Sequence, residues 1–340
     1  MASVSVSVLG ASGYSGAELL NILLRHPHVK IDKLFANSLA GEKVASVYPQ
    51  FRGRTDETFE LYSSEAVAKS DLVFLALPSG EAMRIVPELL ASGKKVIDLS
   101  GDYRLSNQAD FESYYEKKHA SPELVKHATY GLPEWNKELI RNSNFISNPG
   151  CYATSAILAL APLVKEGLIE SNGIVINSLS GVSGAGRKSS VDLSFTEVNE
   201  NVKAYRVGDH QHTPEITMAL EQIAGANISV CFVPHLIPIT RGIYTTITAS
   251  LAAGVDQEIV NSAYTKWYSE KPFVRYTASS VPEIKHVTHS NYIDIGARII
   301  ETTGQVVIMS VIDNLVKGAA GQAMQNMNLM CGYSECEGLL

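Results

Sequence analysis

At 340 residues the chain is long for one domain and long enough for two, each able to bury its own core. Its 45% hydrophobic and 19% charged residues exclude a disordered chain, and a net charge of −7 without a basic stripe argues against a nucleic-acid partner. No apolar run approaches the ~20 residues that span a bilayer, so no membrane partner is expected.

Residues 1–13 lack a basic leader and alternate apolar residues as a strand does, which reads as a mature cytoplasmic start rather than a signal peptide. A first strand is predicted over 4–9, a helix over 16–25 and a second strand over 30–36. Two nearly continuous apolar strands follow at 72–77 and 95–99, with a helix over 81–92 between them. Such strands, separated by helices, predict a parallel sheet covered on both faces: an α/β, Rossmann-type doubly wound domain. The second half has another rhythm. A helix with a long apolar face is expected over 151–166, then strands at 174–180, 228–234, 242–250, 292–301 and 306–312, with helices such as 258–269 between only some of them. That pattern predicts an α+β domain with a largely antiparallel sheet. The segment 314–328 reads as a helix returning to the first domain. The expected organisation is therefore a dinucleotide-binding domain, 1–147 with the C-terminal helix 314–340, and a catalytic, substrate and oligomerisation domain, 148–313.

The first strand ends in Gly10-Ala11-Ser12-Gly13-Tyr14-Ser15-Gly16 and then a helix. Glycines at this spacing let the backbone turn sharply and approach a pyrophosphate, which the helix N-terminus attracts. A tight turn without a ligand is the alternative. The tip of the second strand is Phe35-Ala36-Asn37-Ser38, with Lys43 shortly after; Asp32 lies too early to reach a ribose. A neutral tip beside a cation suits a 2′-phosphate and points to NADP(H). Pro78 and Ser79 follow an apolar strand and are expected at the same carboxyl edge.

Four cysteines occur, at 151, 231, 331 and 336, without zinc-site spacing. Cys231 is expected to be a buried strand residue, and Cys331 and Cys336 to be inert. Cys151 differs: Asn148-Pro149-Gly150-Cys151 sets a thiol at the opening of a helix, where thiolate is favoured. It is the candidate nucleophile, against the alternative of a small buried hydrophobe. His210 and His212, with Glu215 three residues on, are candidates for acid–base work. His-x-His can also bind a metal, but no third ligand is evident, so none is expected. The glycine-rich loop 180–188, with Ser183, Gly184 and Arg187, could hold a phosphoryl group or an oxyanion, and Arg104 and Arg241 are candidate anion contacts.

Eight segments, GASGYSGAEL, DLSGDYRL, YGLPEWN, SNPGCYAT, SGVSGAGRK, HQHTPEI, FVPHLIPITRGI and IDNLVKGAAGQAMQNMNLM, stand in an order that resembles the N-acetyl-gamma-glutamyl-phosphate reductases. The resemblance covers nearly the whole chain. It implies a glyceraldehyde-3-phosphate-dehydrogenase-like second domain and NADPH-dependent reduction of N-acetyl-L-glutamyl 5-phosphate to the 5-semialdehyde, with phosphate released. Cys151 would carry the acyl group as a thioester. His212 or His210 would be the acid–base, with His212 preferred because Glu215 can orient it. Arg104, Asn148, Arg187, Tyr205 and Arg241 would contact the substrate, and Ser183, Gly184 and Asn314 the cofactor. The partners implied are this small substrate, phosphate and further copies of the chain, as a dimer or tetramer. The chain departs from the family in having Ser79 where a histidine is common, and Asn37-Ser38 where an arginine often grips the 2′-phosphate. The competing readings are an aspartate-semialdehyde-type dehydrogenase and a dinucleotide-binding protein without turnover.

Overall fold

The computed structural model describes residues 3–340, which divide into two compact units, 3–149 with 319–340 and 150–318.

The first unit carries strands β1 (Val4–Leu9), β2 (Val29–Phe35), β3 (Leu72–Leu75), β4 (Lys95–Asp98), β5 (Thr129–Tyr130) and β6 (Phe145–Ser147). Its helices are α1 (Tyr14–Leu23), α2 (Val44–Val47), α3 (Ala82–Ala91), α4 (Gln108–Tyr115), α5 (Pro133–Arg141) and α10 (Gly321–Met330). The six strands pair in the order β2-β1-β3-β4-β6-β5, all parallel. β3 is buried at every position, as a strand covered on both faces must be. Leu9, Phe35, Val73, Leu75, Val86, Val96 and Phe145 share one core. From β1 the chain goes to β2 on one side and then to β3 on the other, so the sheet reverses direction at β1. Ligands of open parallel sheets lie at the carboxyl ends of the strands at such a point. The loops after β1, β3, β4 and β6 all leave from that edge. α10 is buried throughout.

The second unit carries α6 (Cys151–Lys165), β7 (Ile174–Ser180), α7 (Phe195–Val198), β8 (Lys203–Ala204), α8 (His212–Ala224), β9 (Val230–Leu236), β10 (Ile243–Ser250), α9 (Gln257–Tyr268), β11 (Val274–Tyr276), β12 (Ile293–Ile300) and β13 (Gln305–Ile312). Its seven strands pair in the order β11-β12-β13-β10-β7-β9-β8, antiparallel except β11 with β12 and β7 with β9. α6 packs on β10, β13, α8 and α9, and Tyr152 through Val164 are buried. Ser155 Oγ on α6 donates to Thr245 Oγ1 of β10 at 3.0 Å, so Thr245 marks the covered face. Neighbouring strand residues point the opposite way. Tyr244, Thr246 and Thr248 therefore occupy the face that α6 does not cover, and they are only partly buried.

Cys231 corrects an expectation. It is exposed, because Phe232 and Pro234 take the inward positions of β9 and leave Cys231 beside Val175, itself 37% exposed. The C-terminal helix also differs in form: a π-helical turn over Val316–Ala320 precedes α10. No helix among the described residues is long and apolar enough to cross a membrane.

Candidate active site

The glycine loop after β1 is shaped by close backbone approach. Gly10 has φ +78°, and a Cβ there would lie 2.2 Å from the Ala76 carbonyl oxygen. A Cβ on Gly16 would lie 2.3 Å from the Gly10 oxygen. Both positions exclude any side chain. Tyr48 Oη donates to the Ser12 carbonyl at 2.7 Å and braces the loop from outside. α1 begins at Gly13 with no side-chain cap and no acidic residue in its first turn. Such a helix start fits a pyrophosphate, whose oxygens would take the first amides. At the β2 tip Asn37 and Ser38 are exposed, and Glu60, beside Phe35, is paired with Lys33. Asp32 is engaged elsewhere, accepting Ser70 Oγ at 2.8 Å. The residues present fit NADP(H).

Pro78 is exposed after β3, while Ser79 Oγ accepts the Gly101 amide at 3.3 Å. Arg104 is half-buried, with Nε donating to the Asn148 carbonyl and Nη2 to the Leu99 carbonyl, each at 2.8 Å. Nearby Asp98 is fully buried, and that burial, with Asp102 adding to it, pushes its carboxyl up to about 7. Asn148 departs from its expected role of substrate contact. It is 0% exposed, its Oδ1 accepts Asn326 Nδ2 at 3.0 Å and its Nδ2 donates to the Ala319 carbonyl at 3.3 Å. It is scaffold beneath Arg104.

In the second unit Cys151 is the first residue of α6, partly exposed, behind Gly150 with extended backbone and no side-chain cap. The orphan amides of a long helix start favour an anionic sulfur and a negatively charged oxygen beside it. Glu215, on the first turn of α8, is 0% exposed. Its Oε1 accepts the Gly150 amide at 2.8 Å, and its Oε2 lies 3.9 Å from His212 Nε2. One carboxylate thus touches the residue before the candidate nucleophile and faces the candidate base.

The two histidines have different surroundings. His210 Nδ1 accepts the His212 amide at 3.1 Å, which fixes the proton on Nε2 in the neutral ring. Its ring packs edge-on to Tyr152, Tyr205, His212 and Phe232. Burial, then His212 and Arg206, push its pKa down to about 2. His210 is thus held neutral by its enclosure, whereas His212 faces the Glu215 carboxylate. Tyr205 Oη lies 3.0 Å from Tyr152 Oη, and burial raises the Tyr205 phenol to about 12. Cys151 adds to that rise, so it lies within electrostatic reach of this hydroxyl.

Ser183 is buried and receives Asn314 Nδ2 at 3.0 Å, while Asn314 Oδ1 accepts the Gly242 amide at 2.8 Å. Asn314 thus staples the glycine-rich loop to the start of β10. Gly184 and Arg187 are exposed beyond that staple, and Arg241 Nη1 lies 3.4 Å from Asp313 Oδ2. Sequence reasoning missed Gly318: a Cβ there would lie 2.7 Å from Cys151 Cβ. The signal was the glycine in Asp313-Asn-Leu-Val-Lys-Gly318, which breaks a helix-forming run. Burial pushes the Cys331 and Cys336 thiols up, which keeps both poorer nucleophiles at neutral pH. Among the described residues no group of three or more His, Cys, Asp and Glu is placed to hold a metal.

Comparison with known proteins gives consistent matches. The family described as semialdehyde dehydrogenase, NAD binding domain, matches residues 5–143, and semialdehyde dehydrogenase, dimerisation domain, matches 151–314. The N-acetyl-gamma-glutamyl-phosphate reductase of Pelotomaculum thermopropionicum is 49% identical over 339 residues, covering 99% of this chain and 98% of that protein. The protein of that name from Geobacter sulfurreducens is 47% identical over the same shares. Among solved structures, aspartate semialdehyde dehydrogenase with NADP from Candida albicans superposes with a TM-score of 0.74 at 18% identity, over 97% of this chain and 99% of that one. Aspartate semialdehyde dehydrogenase II from Vibrio cholerae gives 0.73 at 18% identity, over 98% and 99%. At such identity the solved structures speak for the fold alone.

Proposed function

The chain belongs to the N-acetyl-gamma-glutamyl-phosphate reductases, and from that membership we propose that it reduces N-acetyl-L-glutamyl 5-phosphate to N-acetyl-L-glutamate 5-semialdehyde, a step of arginine biosynthesis, with Cys151 as the nucleophile. Cys151 Sγ attacks the acyl carbon, and the bond to the phosphate oxygen breaks as phosphate leaves with the electron pair. The acyl group is then held on Cys151 as a thioester. NADPH, when bound, supplies the hydride that reduces this carbon. The α6 N-terminus favours the oxygen that turns negative, and His212 gives it a proton. His212 then takes that proton back as the carbon–sulfur bond breaks and the aldehyde leaves. Glu215 holds His212 and the Gly150 amide in register; this shared carboxylate is the observation that carries the assignment of roles. In the first unit Gly10–Gly16 cradle the pyrophosphate, Asn37 and Ser38 face the 2′-phosphate, and Arg104 meets the substrate.

The second unit provides the oligomerisation surface of a homo-oligomer, through the sheet face bearing Tyr244, Thr246 and Cys231. The site of action is the cytoplasm. The test is phosphate-dependent oxidation of N-acetyl-glutamate semialdehyde, run with NADP and NAD side by side and with aspartate semialdehyde as competitor. Turnover should favour the N-acetylated substrate and NADP, and Cys151→Ala should lose turnover but keep nucleotide binding. Preference for aspartate semialdehyde would reject the substrate, and an active Cys151→Ala would reject the mechanism. Light scattering on the purified protein reads the oligomer; a monomer at micromolar concentration would reject that surface.

A further inference from the structure

The first unit holds a buried carboxylate that the scheme above does not use. Asp102 is 1% exposed. Its Oδ1 accepts the Gly80 amide at 2.6 Å and its Oδ2 the Met83 amide at 3.0 Å, from 22 and 19 residues away in sequence. A helix is ordinarily capped by the residue just before it. Here the start of α3 is closed by the loop after β4, which is the loop that carries Arg104.

A further bond ties the same two loops, the Gly101 amide to Ser79 Oγ, and from beyond α4 Lys117 Nζ donates to the Ser79 carbonyl. Gly80 has φ +99°, and a Cβ there would lie 2.9 Å from Lys117 Nζ. On its own loop the Asp102 amide donates to Ser100 Oγ at 3.1 Å, and that hydroxyl donates to Asp98 Oδ2 at 2.9 Å. The Asp102 carbonyl pairs with His119 Nε2 at 2.7 Å. The Arg104 guanidinium, two residues on, is aimed by the Leu99 and Asn148 carbonyls. Both loops leave the carboxyl edge of the parallel sheet, one bearing Pro78 and Ser79, the other Arg104.

We propose that Asp102 is a positioning residue that holds loop 78–83 and the Arg104 loop in one arrangement, so that a single buried carboxylate sets the affinity for the cofactor and for the substrate together. This rests on the reading of Arg104 as a substrate contact and of Pro78 and Ser79 as cofactor contacts. A carboxylate accepts two amides without conflict, whereas an asparagine of the same size must turn one N–H toward a donor. Losing a charge-assisted bond of this kind is worth about ten-fold or more in an equilibrium.

The test uses full-length Asp102→Asn, with Val86→Ala as a control that loosens the buried face of α3 and removes no hydrogen bond between the loops. NADP binding is read by fluorescence titration, and the semialdehyde KM from the phosphate-dependent reaction at saturating NADP. For Asp102→Asn both constants should rise about ten-fold, with kcat within about three-fold of wild type. Val86→Ala should lower Tm and leave both constants within about two-fold. The proposal is overturned if Asp102→Asn loses Tm with neither constant moved, as for a plain cap. It is also overturned if only one constant moves, or if Val86→Ala moves them equally. Arg104→Lys separates the premise: an unmoved semialdehyde KM there rejects Arg104 as a substrate contact, while a raised KM there with Asp102→Asn unmoved rejects Asp102 alone. If Asp102→Asn does not fold, Ser100→Ala, which removes the bond to the Asp102 amide, should raise both constants by about three-fold, and no rise overturns the proposal.

Discussion

An alanine at position 318 would place its methyl carbon 2.7 Å from Cys151 Cβ and 3.2 Å from Cys151 Cα. Carbon atoms in ordinary contact sit about 3.5–4.0 Å apart, so one partner must retreat by about 0.8 Å at least. Gly318 has little freedom to do so. Its amide donates to the Asp313 carbonyl at 3.0 Å, and Asp313 Oδ1 accepts the Leu315 and Val316 amides at 2.8 and 3.2 Å. On the other side Glu215 holds the Gly150 amide, and Cys151 is itself only partly buried at the head of α6. Part of the displacement should therefore fall on Cys151. Overpacking of this kind costs about 1–3 kcal/mol, and misplacing a reacting atom by about 1 Å costs on the order of 100-fold in rate. Gly318→Ala should thus lower kcat about 100-fold, slow alkylation of Cys151 and leave NADP binding intact, because the glycine cradle belongs to the other unit. Steady-state rates, mass-mapped iodoacetamide labelling and a fluorescence titration of NADP read the three effects. A variant with kcat within about three-fold of wild type and unchanged labelling would refute the steric reasoning.

Gly16→Ala sets a Cβ 2.3 Å from the Gly10 carbonyl oxygen and should weaken NADP binding by about ten-fold or more; titration within two-fold of wild type would count against the cradle. Glu215→Gln keeps an acceptor for the Gly150 amide and should fold normally with reduced kcat, whereas Glu215→Ala strands that buried amide and should cost about 1–3 kcal/mol in urea denaturation; equal stability of the two would contradict the bond. The His210 pKa lies near 2 in the folded chain and near 6.5 in the unfolded one, so its contribution is complete above pH 6.5 and is lost as pH falls from there toward 2. Wild type should lose about 1.4 kcal/mol per pH unit below 6.5 on this account, a slope that His210→Gln should lack in denaturation at pH 7.5 and 5.5.

Local chemistry carried much of this into the sequence. Gly10 and Gly16 stand where only glycine fits, and the thiol of Cys151 follows Pro149-Gly150, so both were visible without coordinates. The doubly wound sheet was visible because its inner strand β3 is apolar on both faces. What stayed hidden depends on distant partners. Two residues' spacing cannot tell His210 from His212; Tyr152 packs on both rings, while Tyr205 and Phe232 pack on His210. Cys231 lies in an apolar run that looks wholly internal, yet β9 covers only one face, and alternation sends the sulfur outward. The helix that carries Glu215 went unread because His212-Thr-Pro-Glu215 resembles a loop, although proline is tolerated in a first helical turn. The family resemblance made Asn148 a substrate contact, but Asn326, on a helix near the far end of the chain, claims its amide.

That last contact has a consequence for how the protein is made. Gln322 and Asn326 of α10 both donate to the Gly131 carbonyl, at 3.0 and 2.9 Å, and no residue of α10 is exposed. During synthesis, all residues from 150 to 318 emerge before α10 does. The domain begun first at the ribosome is therefore finished last, with an open apolar slot until its closing helix arrives, and a nascent chain stalled before that point would be a client for chaperones.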